Sequence, residues 1–208
     1  MRKIIFFLFL FSLLLASAAM AETADDWLNK ADELSDGVKY ADPLKAIDYL
    51  NKAIMLQPDH AEAYYNRGVA YDNLGQYKAA IRDYNQAIRH KPDYAEAFYN
   101  RGVIYNTIGQ YQRAIDDFNE AIRLHPRDAE AYLGLGFACD KLGRYQHAIE
   151  NYTNALGLRP DFAQAYNNRG ADYFLLGRHA QGCFDAKRAC ILGNCKLLQT
   201  AENKGICR

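Results

Sequence analysis

The sequence predicts an all-α solenoid built from antiparallel helix pairs. Three observations support this. The 208-residue chain repeats with a period of 34 residues, which is typical of units that stack only on their neighbours. Gly and Pro, which end helices, recur at fixed points of that period. Finally, no segment alternates apolar and polar residues for long enough to predict a strand of any consequence.

The repeat is clearest when the segments beginning at Ala61, Ala95, Ala129 and Ala163 are aligned. Glycine at position 8 allows two helices to approach closely, and glycine at position 15 ends the first helix, helix A, in a left-handed conformation. Alanine at positions 20 and 27 keeps the second helix, helix B, close to helix A. Proline at position 32 ends helix B. The glycines are Gly68, Gly102, Gly136 and Gly170, then Gly75, Gly109, Gly143 and Gly177, and the prolines are Pro92, Pro126 and Pro160.

Over about residues 24–196, this pattern resembles the tetratricopeptide repeat (TPR) family. The resemblance implies a right-handed superhelix of about five helix pairs, in which the two end repeats are imperfect, followed by a capping helix. The expected units are a signal peptide at 1–21, a degenerate repeat at 24–60, repeats at 61–94, 95–128 and 129–162, an atypical repeat at 163–194, and a cysteine-containing cap at 195–208.

The first 21 residues have the layout of a secretory signal. Arg2 and Lys3 precede an apolar run, and two small-x-small patterns end at Ala18 and Ala21. We predict cleavage after Ala21 and export to the periplasm or the medium, with no stable membrane insertion afterwards. The alternative is an uncleaved anchor, for which the apolar stretch is long enough.

Composition argues against several functions. The 25 basic and 25 acidic residues give no net charge, whereas nucleic-acid binders usually carry a basic excess. Ser35 is the single serine after residue 21, and no His-Glu-x-x-His run occurs. We therefore expect no enzyme, no cofactor and no bound metal.

A recurring charge pair goes beyond the usual repeat signature. Three repeats have Arg at position 7 and Asp at position 23, and the repeat with Leu135 at position 7 has Asn151 at position 23. The joint change predicts ion pairs that join helix A to helix B, because a partly buried Arg is costly without a carboxylate. A ligand-binding ladder of arginines is the alternative. The predicted pairs are Arg67–Asp83, Arg101–Asp117 and Arg169–Asp185.

The resemblance also implies where a partner binds, because TPR proteins line a concave groove with helix A positions 2, 5, 9, 12 and 13. An extended peptide or a partner helix could lie across Tyr65, Tyr99 and Phe137. Alternatively, these rings only cover neighbouring helices. The candidate partner-binding residues are Glu62, Tyr65, Val69, Asp72, Asn73, Glu96, Tyr99, Val103, Asn106, Leu133, Phe137, Asp140 and Asn167.

Four of the five cysteines follow residue 182. If the capping helix folds back, Cys190 meets Cys195 near the turn and Cys183 meets Cys207 at the far end. This nested pairing is one of three that four cysteines allow, and an exported protein permits it. Four reduced cysteines are one alternative. A metal site using His179, Cys183 and either Cys190 or Cys195 is another, although its spacing fits zinc poorly.

The sequence therefore predicts an exported scaffold that binds a protein or peptide and not nucleic acid. A second function stays open, because the tail around Lys187-Arg188-Ala189-Cys190 weakly resembles cysteine-rich helix-pair repeats of secreted bacterial proteins. Some of those have been linked to β-lactam binding or hydrolysis. An enzyme would need an enclosed pocket with a perturbed titratable group, whereas a scaffold has an open groove.

Overall fold

A computed structural model describes residues 22–37 and 39–207, so the predicted signal segment lies outside the described residues. In the described part, no helix is both long enough and apolar enough to cross a membrane. Eleven helices lie in these two ranges: α1 (Ala24–Asp32), α2 (Pro43–Leu56), α3 (Ala61–Asn73), α4 (Tyr77–His90), α5 (Ala95–Thr107), α6 (Tyr111–Leu124), α7 (Ala129–Lys141), α8 (Tyr145–Leu158), α9 (Ala163–Leu175), α10 (His179–Ile191) and α11 (Lys196–Asn203).

The helices pack in chain order. Each odd-numbered helix from α1 to α9 is a helix A and packs against the helix B that follows it, and each helix B packs against the next helix A. Neighbouring A helices also touch, as α3 does α5 and α5 does α7. The predicted all-α solenoid of five helix pairs and a capping helix is therefore confirmed.

Turn and cap residues set the helix boundaries. Gly75 and Gly143 end helix A with φ of 69° and 71°, a region that costs other residues a steric penalty. Thr23 begins α1 with a reciprocal capping box to Asp26. The carboxylate of Asp128 accepts hydrogen bonds from two backbone N–H groups at the start of α7.

Glycine at position 8 makes room for a ring from helix B. A Cβ atom on Gly68 would lie 2.7 Å from the Tyr84 ring, and one on Gly136 would lie 2.6 Å from the Tyr152 ring. Both tyrosines are completely buried, so a methyl group at either glycine would collide with the core. Helix A and helix B therefore pack closely in these repeats because glycine faces an aromatic ring.

The structure places each predicted arginine against its predicted aspartate, and it adds a third helix to the contact. Arg101 donates to both carboxylate oxygens of Asp117, at 2.8 and 2.6 Å, and also to Asn85 of the preceding helix B. Such paired bonds fix the orientation of the guanidinium. The other two arginines make the same bridge, with Asp83 and Asn51 for Arg67 and with Asp185 and Thr153 for Arg169.

The fourth repeat replaces this bridge with an apolar contact. Leu135 is buried in the core cluster that contains Tyr152, and the Asn151 side chain donates to the His147 carbonyl of its own helix. Because the arginine is missing, no buried charge there needs a carboxylate. Positions 7 and 23 therefore change together in the sequence because their side chains form one ion pair in the structure.

The four C-terminal cysteines come together at the end of the solenoid. The structure pairs Cys183 with Cys207 and Cys190 with Cys195, across the turn between α10 and α11. Helix α11 also contacts the last pair directly, since a Leu197 methyl group lies against Gly170. Disulfides at these sites would join the capping helix covalently to the last repeat.

One buried carboxyl group interrupts the repeat pattern. Position 10 is apolar in the middle repeats but is Asp172 in the fifth, where it is 2% exposed and its Oδ2 has no hydrogen-bond partner. Burial raises the pKa of Asp172 to about 8, and the charge of Asp140 adds to the rise, while Lys141 opposes it. Burial raises the pKa of the Tyr152 hydroxyl, and the nearby charges of Asp172 and Asp140 raise it further.

We expect Asp117→Ala to lower the free energy of unfolding by about 3 kcal/mol, because it leaves the half-buried guanidinium of Arg101 without its carboxylate. Thermal melting and urea titration measure this loss. Asp116→Ala is the matched control, since Asp116 is exposed and accepts a hydrogen bond from Gln112 on the same helix. An unchanged Tm for Asp117→Ala would show that the bridge does not stabilise the fold.

We expect protonation of Asp172 to stabilise the fold. Between pH 4 and about 8 the folded chain holds a proton that the unfolded chain has released, so this contribution falls as the pH rises. Asp172→Asn mimics the protonated group, and we expect it to raise the Tm at pH 8.5 much more than at pH 5. Asp161→Asn, at an exposed carboxylate, is the control. An equal change in Tm at both pH values would contradict the assignment.

Candidate functional site

The predicted partner-binding residues lie on helices α3, α5, α7 and α9, and we call this set the helix A row. Eight of the thirteen line one of two hollows. The first, the acidic hollow, contains Glu62, Tyr65 and Val69. The second, the aromatic hollow, contains Tyr99, Val103, Asn106, Leu133 and Phe137.

The aromatic hollow has a volume of about 540 Å³ between α5 and α7. Four of its lining rings pack in pairs, since Tyr99 packs edge-on against Phe118 and Phe137 packs edge-on against Tyr111, with centroids 5.8 and 6.5 Å apart. The Asn106 side chain donates to the Gly134 carbonyl at 3.0 Å, but its own oxygen is buried and has no partner. A bound donor would remove the cost of that unpaired acceptor.

One charged pair borders the aromatic hollow. Glu130 lines it, and the carboxylate of Glu130 lies 2.6 Å from the guanidinium of Arg159. Arg159 in turn stacks on the Phe162 ring, with 3.4 Å between the guanidinium carbon and the ring centroid. The negative charge at this hollow is therefore balanced by the protein itself.

The acidic hollow has a volume of about 450 Å³ and is lined by residues of α1 and α3, the α1–α2 connection and the start of α5. The Asp32 carboxylate accepts a hydrogen bond from Asn66 at 2.8 Å, and the Tyr65 hydroxyl accepts one from Asn100 at 3.0 Å. Burial raises the pKa of Asp32, and the charge of Glu62 raises it further. These effects indicate two nearby carboxylates without a compensating cation.

The other five predicted residues line neither hollow. The Asn73 side chain accepts from the Tyr40 backbone at 2.9 Å, and Glu96 lies 4.0 Å from His125. Asp140 pairs with Lys141, and Asn167 donates to Asn168 at 3.4 Å. Burial raises the pKa of Asp72. Asn73 therefore joins helix A of the second repeat to the inserted turn of the first, and Tyr65 and Tyr99 pack against the core as well as lining the hollows.

Sequence reasoning missed several lining residues. Tyr40 lies in the inserted turn of the degenerate first repeat, where no other repeat offers a comparison. Asn66 and Asn100 share position 6 and recur as Asn168 in the fifth repeat. That recurrence was a usable signal, because Asn66 and Asn100 each donate a hydrogen bond to the preceding helix A.

Over 22–37 and 39–207, no group of three or more His, Cys, Asp or Glu side chains is arranged to hold a metal ion. The hydroxyl of Ser35 accepts a hydrogen bond from the Gly37 backbone at 3.0 Å. That serine therefore stabilises a turn.

The comparisons with known proteins agree with this architecture. The family model for the tetratricopeptide repeat matches three consecutive spans, residues 61–94, 95–128 and 129–162. No curated protein sequence matches the chain.

Similar solved structures share the architecture along nearly their whole length. YrrB, described as a TPR protein with an unusual peptide-binding site, is 23% identical with a TM-score of 0.77, over 92% of this chain and 97% of YrrB. A MamA crystal structure is 27% identical with a TM-score of 0.74, over 89% and 96% of the two chains. MamA from Desulfovibrio magneticus RS-1 is 23% identical with a TM-score of 0.77, over 85% and 98%. The chain therefore carries three tetratricopeptide repeats at residues 61–162 and shares the fold of these proteins.

Proposed function

We propose that this chain is an exported, non-catalytic scaffold that binds an extended segment of a partner protein along the helix A row. The observation that carries the proposal is that both hollows border α5. Neighbouring residues of α5 face different hollows, Tyr99 the aromatic one and Asn100 the acidic one. One continuous segment can therefore occupy both.

The chemistry of the row suits a peptide better than a reacting small molecule. Tyrosine, asparagine and apolar side chains give contact area and hydrogen bonds at modest ordering cost. An extended segment can place successive side chains into separate hollows while its backbone bonds to amides beside them. The likeness to YrrB, a protein described as having a peptide-binding site, supports the same class of ligand.

Export is the second part of the proposal. The signal-like layout of residues 1–21 supports it, and so does the arrangement of the four C-terminal cysteines, because disulfides persist in oxidising compartments. We expect protein purified from the source organism's envelope or medium to begin at Glu22, as measured by N-terminal sequencing. Cytoplasmic protein that begins at Met1 would contradict export.

Val103→Glu provides the sharpest test of partner binding. Val103 is 37% exposed in the aromatic hollow, so a carboxylate there adds charge to an apolar contact and removes little from the core. We expect affinity capture from the envelope fraction to lose the partner that the wild-type chain retains, followed by mass spectrometry. Circular dichroism checks that the variant is folded.

Ile108→Glu is the matched control. Ile108 follows α5, is 39% exposed and lines a different surface depression beside Tyr77, so we expect it to capture the partner as well as wild type does. Equal capture by the wild type and both variants would show that the partner binds outside the aromatic hollow. No specific capture by the wild type would contradict the scaffold function.

A further inference from the structure

The acidic hollow carries more hydrogen-bond acceptors than its own residues satisfy. Asn66 and Asn100 direct their NH₂ groups to Asp32 and to the Tyr65 hydroxyl, which leaves their side-chain oxygens as acceptors. Asp32 has a second carboxylate oxygen, and Glu62 has two. An occupant with several donors would match this lining.

The charge at the hollow is also uncompensated. Within residues 22–37 and 39–207, neither Asp32 nor Glu62 belongs to a salt bridge. The aromatic hollow differs, because Arg159 neutralises its Glu130. Burial and the neighbouring charge of Glu62 raise the pKa of Asp32, as expected where a positive charge would be stabilising.

Tyr40 is an independent indication of a ligand. It is 7% exposed yet lines the hollow, and its backbone is held by Asn73. No hydrogen bond found among the described residues uses its hydroxyl. Burial raises the pKa of Tyr40, and the charge of Asp32 raises it further, so the hydroxyl lies near the carboxylates, where an occupant of the hollow could bond to it.

We propose that the acidic hollow receives an arginine side chain of the bound segment. A guanidinium has five N–H donors in a planar fork, so it can bond to Asp32 and Glu62 together. Its flat face can stack on tyrosine, whereas the lysine ammonium is compact and strongly hydrated. This inference rests on the proposed function, because it names one side chain of the same peptide.

A blocked Gly-Arg-Gly tripeptide is the probe, followed by NMR on isotopically labelled protein. We expect saturable shifts at the side-chain amides of Asn66 and Asn100, with a dissociation constant of about 1 mM, reasonable for so small a ligand. Blocked Gly-Lys-Gly should bind more weakly. Blocked Gly-citrulline-Gly, which has nearly the same shape without the charge, should not bind measurably.

Conservative variants isolate the groups involved. We expect Asp32→Asn and Glu62→Gln each to weaken tripeptide binding about tenfold or more, because charge-assisted hydrogen bonds become neutral ones. Tyr40→Phe removes a single hydroxyl and should weaken binding to a smaller extent. Glu33→Gln is the matched control, since Glu33 is the exposed neighbour of Asp32 outside the hollow, and it should bind as wild type does.

The proposal is overturned if the citrulline peptide binds as well as the arginine peptide, or if no saturable shift occurs up to about 50 mM, far above the affinity expected of such a ligand. This test is separate from capture by the aromatic hollow. If the tripeptide fails while Val103→Glu still loses its partner, the scaffold function stands and the arginine site does not. If the tripeptide binds but no partner is captured, the arginine site stands and the scaffold function does not.

Discussion

The close approach of helix A and helix B at position 8 is the constraint on which the rest of the structure depends. Gly68 and Gly136 each lie under a tyrosine ring that is fully buried, so the two helices pack with a ring where another residue would place a methyl group. Dense packing of this kind leaves little freedom in the relative placement of the helices. Gly102 likewise faces the Phe118 ring, so the same contact positions α3, α5 and α7 in the three middle repeats.

The arginine bridges extend this order from one repeat to the next. Arg101 lies on α5, its carboxylate partner lies on α6, and its third contact lies on α4, so one side chain fixes three consecutive helices. Neighbouring residues on the same helices face the hollows. A weakened bridge would therefore change the spacing of the binding surface as well as the stability. Each guanidinium is already bonded to two neighbouring helices, which argues against a direct ligand-binding role for these arginines.

Much of the fold was predictable because its determinants are local and repeated. Helix ends follow from glycine and proline at fixed positions, and the pairing of Arg67 with Asp83 follows from two positions that change together. The third contact of each arginine was not predictable, because its partner is Asn in some repeats and Thr153 in another. Because the residue at that third contact varies, the sequence does not show that the three bridges share one geometry.

The candidate site was only partly predictable for a related reason. The row itself follows from the family resemblance, but the acidic hollow depends on Tyr40 and Asp32, which belong to the degenerate first repeat and its inserted turn. Comparing the repeats cannot identify the role of a residue that occurs in only one of them. Asp172 shows the same limit inside the core, since its burial and its nearness to Asp140 are tertiary facts that spacing along the chain does not contain.

The unequal charge of the two hollows can fix the direction of a bound segment. A cation placed in the acidic hollow would meet two carboxylates that form no salt bridge within residues 22–37 and 39–207. A cation placed in the aromatic hollow would meet Arg159, which already neutralises Glu130. A reversed segment would therefore lose an attraction at one end and gain a repulsion at the other. Specificity arises from such differences between the correct arrangement and its competitors, and here the difference comes from Arg159, which borders the aromatic hollow and not the acidic one.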